Sequence, residues 1–510
     1  MHQTFRRRTP EILLLAALGV MLFITNRRIT IFYDEVFIIR AATEPVSQIL
    51  HTFWIGEGIH EHPPLFDVLF HFWLRLTGAS FIALRLPGIA CYLFGLRMLS
   101  RTAEELGGTR SARAMLCMGA LWPYAYHYGR MAAWYSFCFA IVAWLTYSYI
   151  RLVEKPSAGR WCATLFLAAA LVYTNYFGWA MLACLAIDFA VREHAKWRRA
   201  AVILITSGIL LALAYLPFWR SFFRELGFGI GSDHSPVTTV LLGGFELYNL
   251  FVSESVSPWF LALGIPACLC IAACLLVTFK RSSPPARRFL IFGAALLVLM
   301  TLTGIINAKR LLPIGAWLLL PIGLTLGSLR PGRDRIILST SLVGILLIGW
   351  YGIFTRTHYS APRFIEPWQQ VGTEAANHSR AGALIIGNNP SFFFYFIYAL
   401  DPSEPPGRWQ MLQNLSAPGA FDAQDWMDRG QPLRSEVYFV RGAPGPLEEG
   451  APWDAEQWLN KHCQLVEFNQ MVPDPASTLK TKFMPESEQL SWRIRVRQYS
   501  CAMDAQLPSR

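Results

Sequence analysis

RSSPPARRFLIFGAALLVLMTLTGIINAKRLLPIGAWLLLPIGLTLGSLRPGRDRIILSTSLVGILLIGWYGIF, residues 281–354, holds three long apolar runs separated by two short polar breaks. Each run approaches the ~20 mostly apolar residues that cross a ~30 Å hydrocarbon core. Arg330, Arg333 and Arg335 fill one break and Lys280, Arg281, Arg287 and Arg288 precede the first run. The same alternation extends upstream. Candidate spans are 10–26, 81–100, 112–127, 132–151, 161–176, 178–192, 200–219, 258–279, 288–307, 311–329 and 335–354, eleven in all. The composition agrees: 54% of the 510 residues are apolar and only 15% charged, against roughly 25% charged in a soluble domain. Disorder, a coiled coil and a collagen-like rod are excluded.

Orientation follows from basic clusters. Arg6/Arg7/Arg8, Arg97/Arg101/Arg110/Arg113, Arg151/Lys155/Arg160, Arg192/Lys196/Arg198/Arg199 and the two clusters above fall on one side if there are eleven spans. The positive-inside rule then makes the amino terminus cytoplasmic and everything after Phe354 external. The first span is read as an uncleaved anchor, because Asn26-Arg27-Arg28-Ile29 offers no small-residue cleavage site. The net charge of +11 does not indicate nucleic acid: residues 363–510 carry 13 Lys/Arg against 17 Asp/Glu, and the positive excess sits in short loops between apolar runs.

Two external segments exceed what a connector needs. In residues 27–80, LFDVLFHFWLRLTG places Asp67, His71 and Arg75 four apart, one polar stripe on a helix otherwise Phe, Leu and Trp. Such a helix is expected to lie in the membrane interface. Residues 221–257 read as a flexible loop that could hold a short helix. Residues 359–510 form a separate domain: AGALIIG and SEVYFVRG read as strands, SWRIRVRQYS as another, and FFFYFIYAL as a helix, a small α/β unit. Its Cys463 and Cys501 could form a disulfide if the tail is external; the other eight cysteines lie in or beside apolar runs and no Cys-x-x-Cys pair occurs.

Four constellations could carry chemistry. Asp34 and Glu35 follow the first span, where an ionised carboxylate can serve as a general base or Asp34 can cap the next helix. His60-Glu61-His62-Pro63-Pro64 supplies a His-x-His pair without a convincing third ligand, so no metal is expected; the prolines restrict the backbone and aim His62 toward the membrane face. Trp122-Pro123-Tyr124-Ala125-Tyr126-His127-Tyr128-Gly129-Arg130, with Tyr135 beyond it, reads as an interfacial aromatic belt, yet an arginine at a span end either snorkels or binds an anion. Lys309 and Arg310 sit in a very short external loop against the charge bias, which points to a phosphate contact. His62, Tyr128 and Tyr135 are candidates to position substrate. A carboxylate facing several cations suits transfer from a lipid-linked phosphate donor.

In these motifs the sequence resembles the membrane-embedded GT-C glycosyltransferases, in particular bacterial relatives of protein O-mannosyltransferases and the lipid A aminoarabinose transferase. The matches run in order: Asp34-Glu35, HEHPPLF (60–66), ALRLPGI (83–89), YGRMAAWYSF (128–137), YTNYFGW (173–179) and KRLLP (309–313). Ala133 stands where the family often has a second arginine, Asn175 for a histidine and Leu311 for a tyrosine. The resemblance implies a polytopic GT-C-like α-helical membrane protein of about 11 transmembrane helices (residues 1–358) with a small C-terminal α/β extracytoplasmic domain, in a bacterial inner membrane. It implies a polyprenyl-phosphate sugar donor and a glycan, lipid or protein acceptor, with no cofactor. Inverting displacement would use Asp34 as base, Glu35 to orient it, and Arg130, Lys309 and Arg310 on the donor phosphate. The alternative is a flippase or transporter of lipid-linked saccharides; internal repeats and helices broken at the midplane, its usual marks, are not apparent.

Overall fold

The computed structural model describes residues 2–55, 62–229, 236–304, 306–356, 359, 367–400, 411–412, 417, 419–429, 434–442, 455–470 and 494–502. The predicted His60 and Glu61, and the side chains of Arg6–Arg8, lie outside these. The chain divides into two compact units, one of residues 1–26, 45–72 and 81–359, the other of 27–44, 73–80 and 360–510.

Among the described residues the first unit is helical. Seven of the described helices are long and apolar enough to cross a membrane, and Thr9–Ile24, Ala158–Val172 and Pro236–Val252 are shorter apolar helices of the same unit. Each predicted span coincides with a helix or part of one; the count of eleven crossings is not fixed by this. Spans two and three are two helices that fold back on each other at Gly108 (φ 76°, ψ −177°), a conformation open to glycine because it lacks a Cβ, and Tyr92 donates to the Gly119 carbonyl across the pair at 2.7 Å. The helix Leu312–Ser328 is apolar all round and buried from Leu312 to Thr325, as expected of a central helix. Small residues let it approach closely: a Cβ on Gly323 would lie 2.9 Å from Met115 Cα, and one on Gly327 would lie 2.4 Å from Ser111 Cα.

Two expectations need correction. Residues 221–257 are not chiefly loop: the helices Trp219–Gly229 and Pro236–Val252 occupy most of the described part. The latter is a 17-residue apolar run whose Asn249 donates to Glu246 at 3.3 Å, while Asn249 Oδ1 and the Tyr248 hydroxyl are buried without a partner among the described residues. The helix Leu65–Thr77 forms where predicted, but of its polar stripe only Arg75 is exposed. Asp67 and His71 are buried, whereas Leu69, Phe72 and Leu76 are exposed. In an apolar surrounding the polar face turns inward, where partners can satisfy it.

The second unit is built on a mixed sheet of order β2-β1-β3-β5-β4, where β1 is Leu384–Gly387, β2 Ala420–Asp422, β3 Glu436–Arg441, β4 Cys463–Gln470 and β5 Arg495–Cys501. β1 pairs in parallel with β2 and β3; β5 pairs antiparallel with β3 and β4. The predicted strands are β1, β3 and β5; β2 and β4 were not foreseen. Leu384, Ile386, Val437, Phe439 and Tyr499 pack with Trp426 and Leu459 in its core. Cys463 stands opposite Cys501 and the two are disulfide-bonded. The helix Pro390–Leu400 supplies Tyr395, whose hydroxyl accepts the Ile31 N–H at 2.7 Å.

Closing the 38-residue separation between the cysteines restricts the unfolded chain by about 4 kcal/mol. Cys463→Ser is expected to lower the unfolding midpoint of this unit under oxidising conditions, and adding reductant should lower the wild type to match it; differential scanning fluorimetry reads both.

Candidate functional site

The cationic turn begins at Asn307, whose side-chain oxygen accepts the Lys309 N–H at 3.3 Å, opening the 3-10 turn Ala308–Leu311. Pro313 sits in the first turn of the following helix, where a missing N–H costs nothing. Asn and Pro thus fix Lys309 and Arg310 at the head of the central helix. Tyr124 holds the turn by donating its hydroxyl to the Ala308 carbonyl.

Tyr124 belongs to the short helix Pro123–Tyr128, every residue of which is buried. Its ring lies 4.6 Å from that of Tyr128, which meets Tyr135 edge-on at 6.4 Å. The Tyr128 hydroxyl donates to Glu254 Oε2 at 2.9 Å. His127, from the same turn, bonds Ser253 Oγ at 2.7 Å and the Tyr359 hydroxyl at 3.1 Å. Ser253 has φ 69°, a left-handed conformation uncommon for a side-chain-bearing residue. Residues 253–257, SESVS, are all buried, and Ser255 Oγ donates to the Gly349 carbonyl at 2.9 Å.

The His62 ring lies 4.5 Å from that of Trp134, the two tilted by 57°. It lies within electrostatic reach of the turn. Burial first, then the charges of Arg310 and Lys309, hold its imidazole well below the usual histidine range. His62, Lys309, Arg310, Tyr124, Tyr128 and Tyr135 are therefore linked within one unit.

Arg130 is placed differently. It is fully buried; Nη1 donates to Thr25 Oγ1 at 2.9 Å and to the Leu22 carbonyl at 3.3 Å, and the guanidinium lies 4.0 Å over the Tyr126 ring. It clasps the carbonyl end of the first helix. Arg85 does the same one step on, donating to the Asn26 carbonyl at 3.1 Å. The two motifs meet at Gly88, where a Cβ would come 2.5 Å from the Met131 carbonyl oxygen.

Asp34 and Glu35 belong to the second unit. The helix there is Tyr33–Thr43, so Asp34 is not its cap but its second residue. Glu35 reaches back to accept the Phe32 N–H at 2.9 Å and is fully buried, whereas Asp34 is half-buried. Two carboxylates in one first turn also complement the helix dipole. Among the described residues no three His, Cys, Asp or Glu side chains gather as a metal site would require. Glu254 and Arg85 are the residues that sequence reasoning missed. SESVS reads as exposed loop, and Arg85 lay inside a quoted motif as an apparently ordinary span charge.

Residues 61–219 match the family described as dolichyl-phosphate-mannose-protein mannosyltransferase. No curated protein sequence matches the chain. Among solved structures, ArnT from Cupriavidus metallidurans bound to undecaprenyl phosphate aligns over 96% of this chain and 98% of its own, with 12% identity and a TM-score of 0.54. The same protein in the apo state aligns with a TM-score of 0.53, 12% identity and the same coverage. The chain thus has the fold of the membrane-embedded GT-C glycosyltransferases, and it is a multi-pass membrane protein.

His62 supplies a pH test. Its folded proton affinity is depressed, so the unfolded chain binds a proton that the folded chain refuses once pH falls below about 6.5. Stability is therefore lost as pH drops from there toward the folded value. His62→Gln should flatten that part of the unfolding midpoint against pH; an unchanged slope would assign it to other groups.

Proposed function

We propose that this protein transfers a sugar from a polyprenyl-phosphate donor to an acceptor hydroxyl, on the face of the membrane that carries its C-terminal unit. The observation that carries this reading is the Lys309–Arg310 turn, capped by Asn307, tied by Tyr124 and set beside His62, on a fold shared with a protein crystallised with undecaprenyl phosphate. Two fixed cations in a restricted, partly dry recess stabilise charge that develops on a departing phosphate, an effect worth several kcal/mol.

The acceptor oxygen attacks the anomeric carbon from the side opposite the phosphate, inverting it. Its proton passes to the Asp34 carboxylate as the new C–O bond forms. The bond from the anomeric carbon to the phosphate oxygen breaks, and its electron pair leaves with polyprenyl phosphate. A phosphate departs as an anion, so no general acid is required. Glu35 anchors the helix start through Phe32 N–H and keeps Asp34 on its first turn. Arg130 acts on this reading by fixing the first helix rather than by a shown contact with the cationic turn. Tyr128, Tyr135 and His62 position the substrate on this reading. Either a hexose or a pentose would satisfy the site's chemistry, and the acceptor would be a glycan, lipid or protein.

The disulfide Cys463–Cys501 supports an extracytoplasmic C-terminal unit, since such bonds persist in oxidising compartments. The basic clusters, under the positive-inside rule, support the same reading, with that unit outside a bacterial inner membrane. The transporter reading gains no specific observation.

Reconstituted protein, polyprenyl-phosphate-linked sugars and envelope acceptors provide the test. Asp34→Asn is expected to reduce kcat by roughly 10²–10⁴-fold with donor binding retained. Arg310→Ala is expected to cost about 10²–10³-fold and to weaken polyprenyl-phosphate binding. Transfer at the wild-type rate by Asp34→Asn would remove it as the base, and movement of intact lipid-linked saccharide without bond cleavage would establish the transporter instead.

A further inference from the structure

A cavity of about 300 Å³ lies among the helices Trp134–Glu154, Ala158–Val172, Gly178–Arg192 and Trp197–Ala214. Leu145, Leu165, Leu182, Phe189, Leu204 and Leu211 line it. Of its polar atoms, Trp161 Nε1 donates to Ser207 Oγ at 3.3 Å and Thr164 Oγ1 donates to the Arg160 carbonyl at 2.8 Å, while Trp179 Nε1 is buried without a partner among the described residues. The rest of the wall is mostly hydrocarbon. The helix Trp197–Ala214 buries only Ala200 and Leu211, and turns Val202, Ile205, Ile209 and Leu213 outward. It stands off its neighbours, and the space it leaves is the cavity.

One lining residue connects the cavity to charge. The Tyr149 hydroxyl donates to Asp188 Oδ2 at 2.7 Å. Asp188 is buried and also accepts Arg192 Nε and Arg288 Nη1, each at 2.6 Å. Two guanidiniums thus share one carboxylate, leaving local charge positive. Arg192 Nη2 is shielded from solvent and has no acceptor among the described residues. An apolar slot beside a positive pair with spare donor capacity matches the two ends of an anionic lipid.

We propose that this site holds one anionic phospholipid, an acyl chain in the cavity and the phosphate on Arg192 and Arg288. It is separate from the donor-phosphate turn. Arg288 lies near the start of the helix Pro284–Leu302 and Lys309 lies beyond its end, roughly 20 Å away along the axis at 1.5 Å per residue. A lipid there fills the packing that the loosely held helix lacks and presents its anion to the arginines.

Native mass spectrometry of the purified full chain, delipidated and then offered phosphatidylglycerol and phosphatidylcholine of matched chains, tests this. Wild type is expected to retain a single phosphatidylglycerol, favoured about fivefold or more over phosphatidylcholine. Gly208 lines the cavity and a Cβ there meets nothing within 4 Å, so Gly208→Leu should fold and lose the retained lipid. Arg288→Gln should bind both lipids alike; it keeps Arg192 and Tyr149 on Asp188, so it provides the test should Gly208→Leu fail to fold. Equal retention of both lipids by wild type, full retention by a folded Gly208→Leu, or one-for-one displacement by polyprenyl phosphate would each overturn the proposal.

Discussion

The carbonyl end of the first helix is closed by two buried guanidiniums, and the arrangement of the helical unit depends on that closure. The last carbonyls of any helix lack intrahelical partners, and in an apolar surrounding leaving them unpaired costs several kcal/mol each. Arg130 meets the Leu22 carbonyl and the Thr25 hydroxyl; Arg85 meets the Asn26 carbonyl. Each arginine comes from a different quoted motif, and Gly88 allows those motifs to touch backbone to side. Three segments distant in sequence are thereby locked where the chain leaves the first helix, eight residues before Asp34.

From the same turn as Arg130 a second connection runs the other way. Glu254 accepts Tyr128, Tyr128 packs on Tyr124, and Tyr124 holds the carbonyl that precedes Lys309. A fully buried carboxylate is expensive without partners, and a non-glycine residue at positive φ adds a cost of about 1–3 kcal/mol. Both occur side by side at Ser253 and Glu254. They are kept by surroundings that overdetermine them: His127 on Ser253, Ser255 on the Gly349 carbonyl, and Gly352, where a Cβ would lie 2.3 Å from the Ser255 carbonyl oxygen. The turn that offers the cations is thus braced from residues more than 50 positions away in the chain.

The helices were legible because a hydrocarbon core imposes length and apolarity on every crossing, and the strands β1 and β3 because their apolar runs are short and bounded by turn residues. What escaped was orientation. Asp67 and His71 have the spacing of an interfacial helix, but the same spacing serves a stripe turned inward, and nothing in periodicity tells which medium lies on which side. β4, CQLVEFNQ, alternates too weakly to be read alone and owes its place to pairing with β5. At the site, Lys309 and Arg310 were legible because they broke a charge bias. Glu254 was not, because a glutamate between serines carries the composition of a solvated loop and only tertiary burial makes it exceptional. Arg130 was singled out correctly as needing explanation, and its observed partners are a helix end.

His62 reports on the potential that the cationic turn creates. Burial alone lowers the proton affinity of an imidazole, and the charges of Arg310 and Lys309 act in the same direction. Opposition to a third positive charge is also attraction for a negative one, since the two are the same field acting on charges of opposite sign. Burial, the larger cause, disfavours charge of either sign, so only the part of the shift that comes from Arg310 and Lys309 marks a potential favourable to an anion. On the proposed reading, an anion beside Lys309 and Arg310 would cancel that part of the field. The neutral imidazole adds no repulsion of its own to the cationic turn.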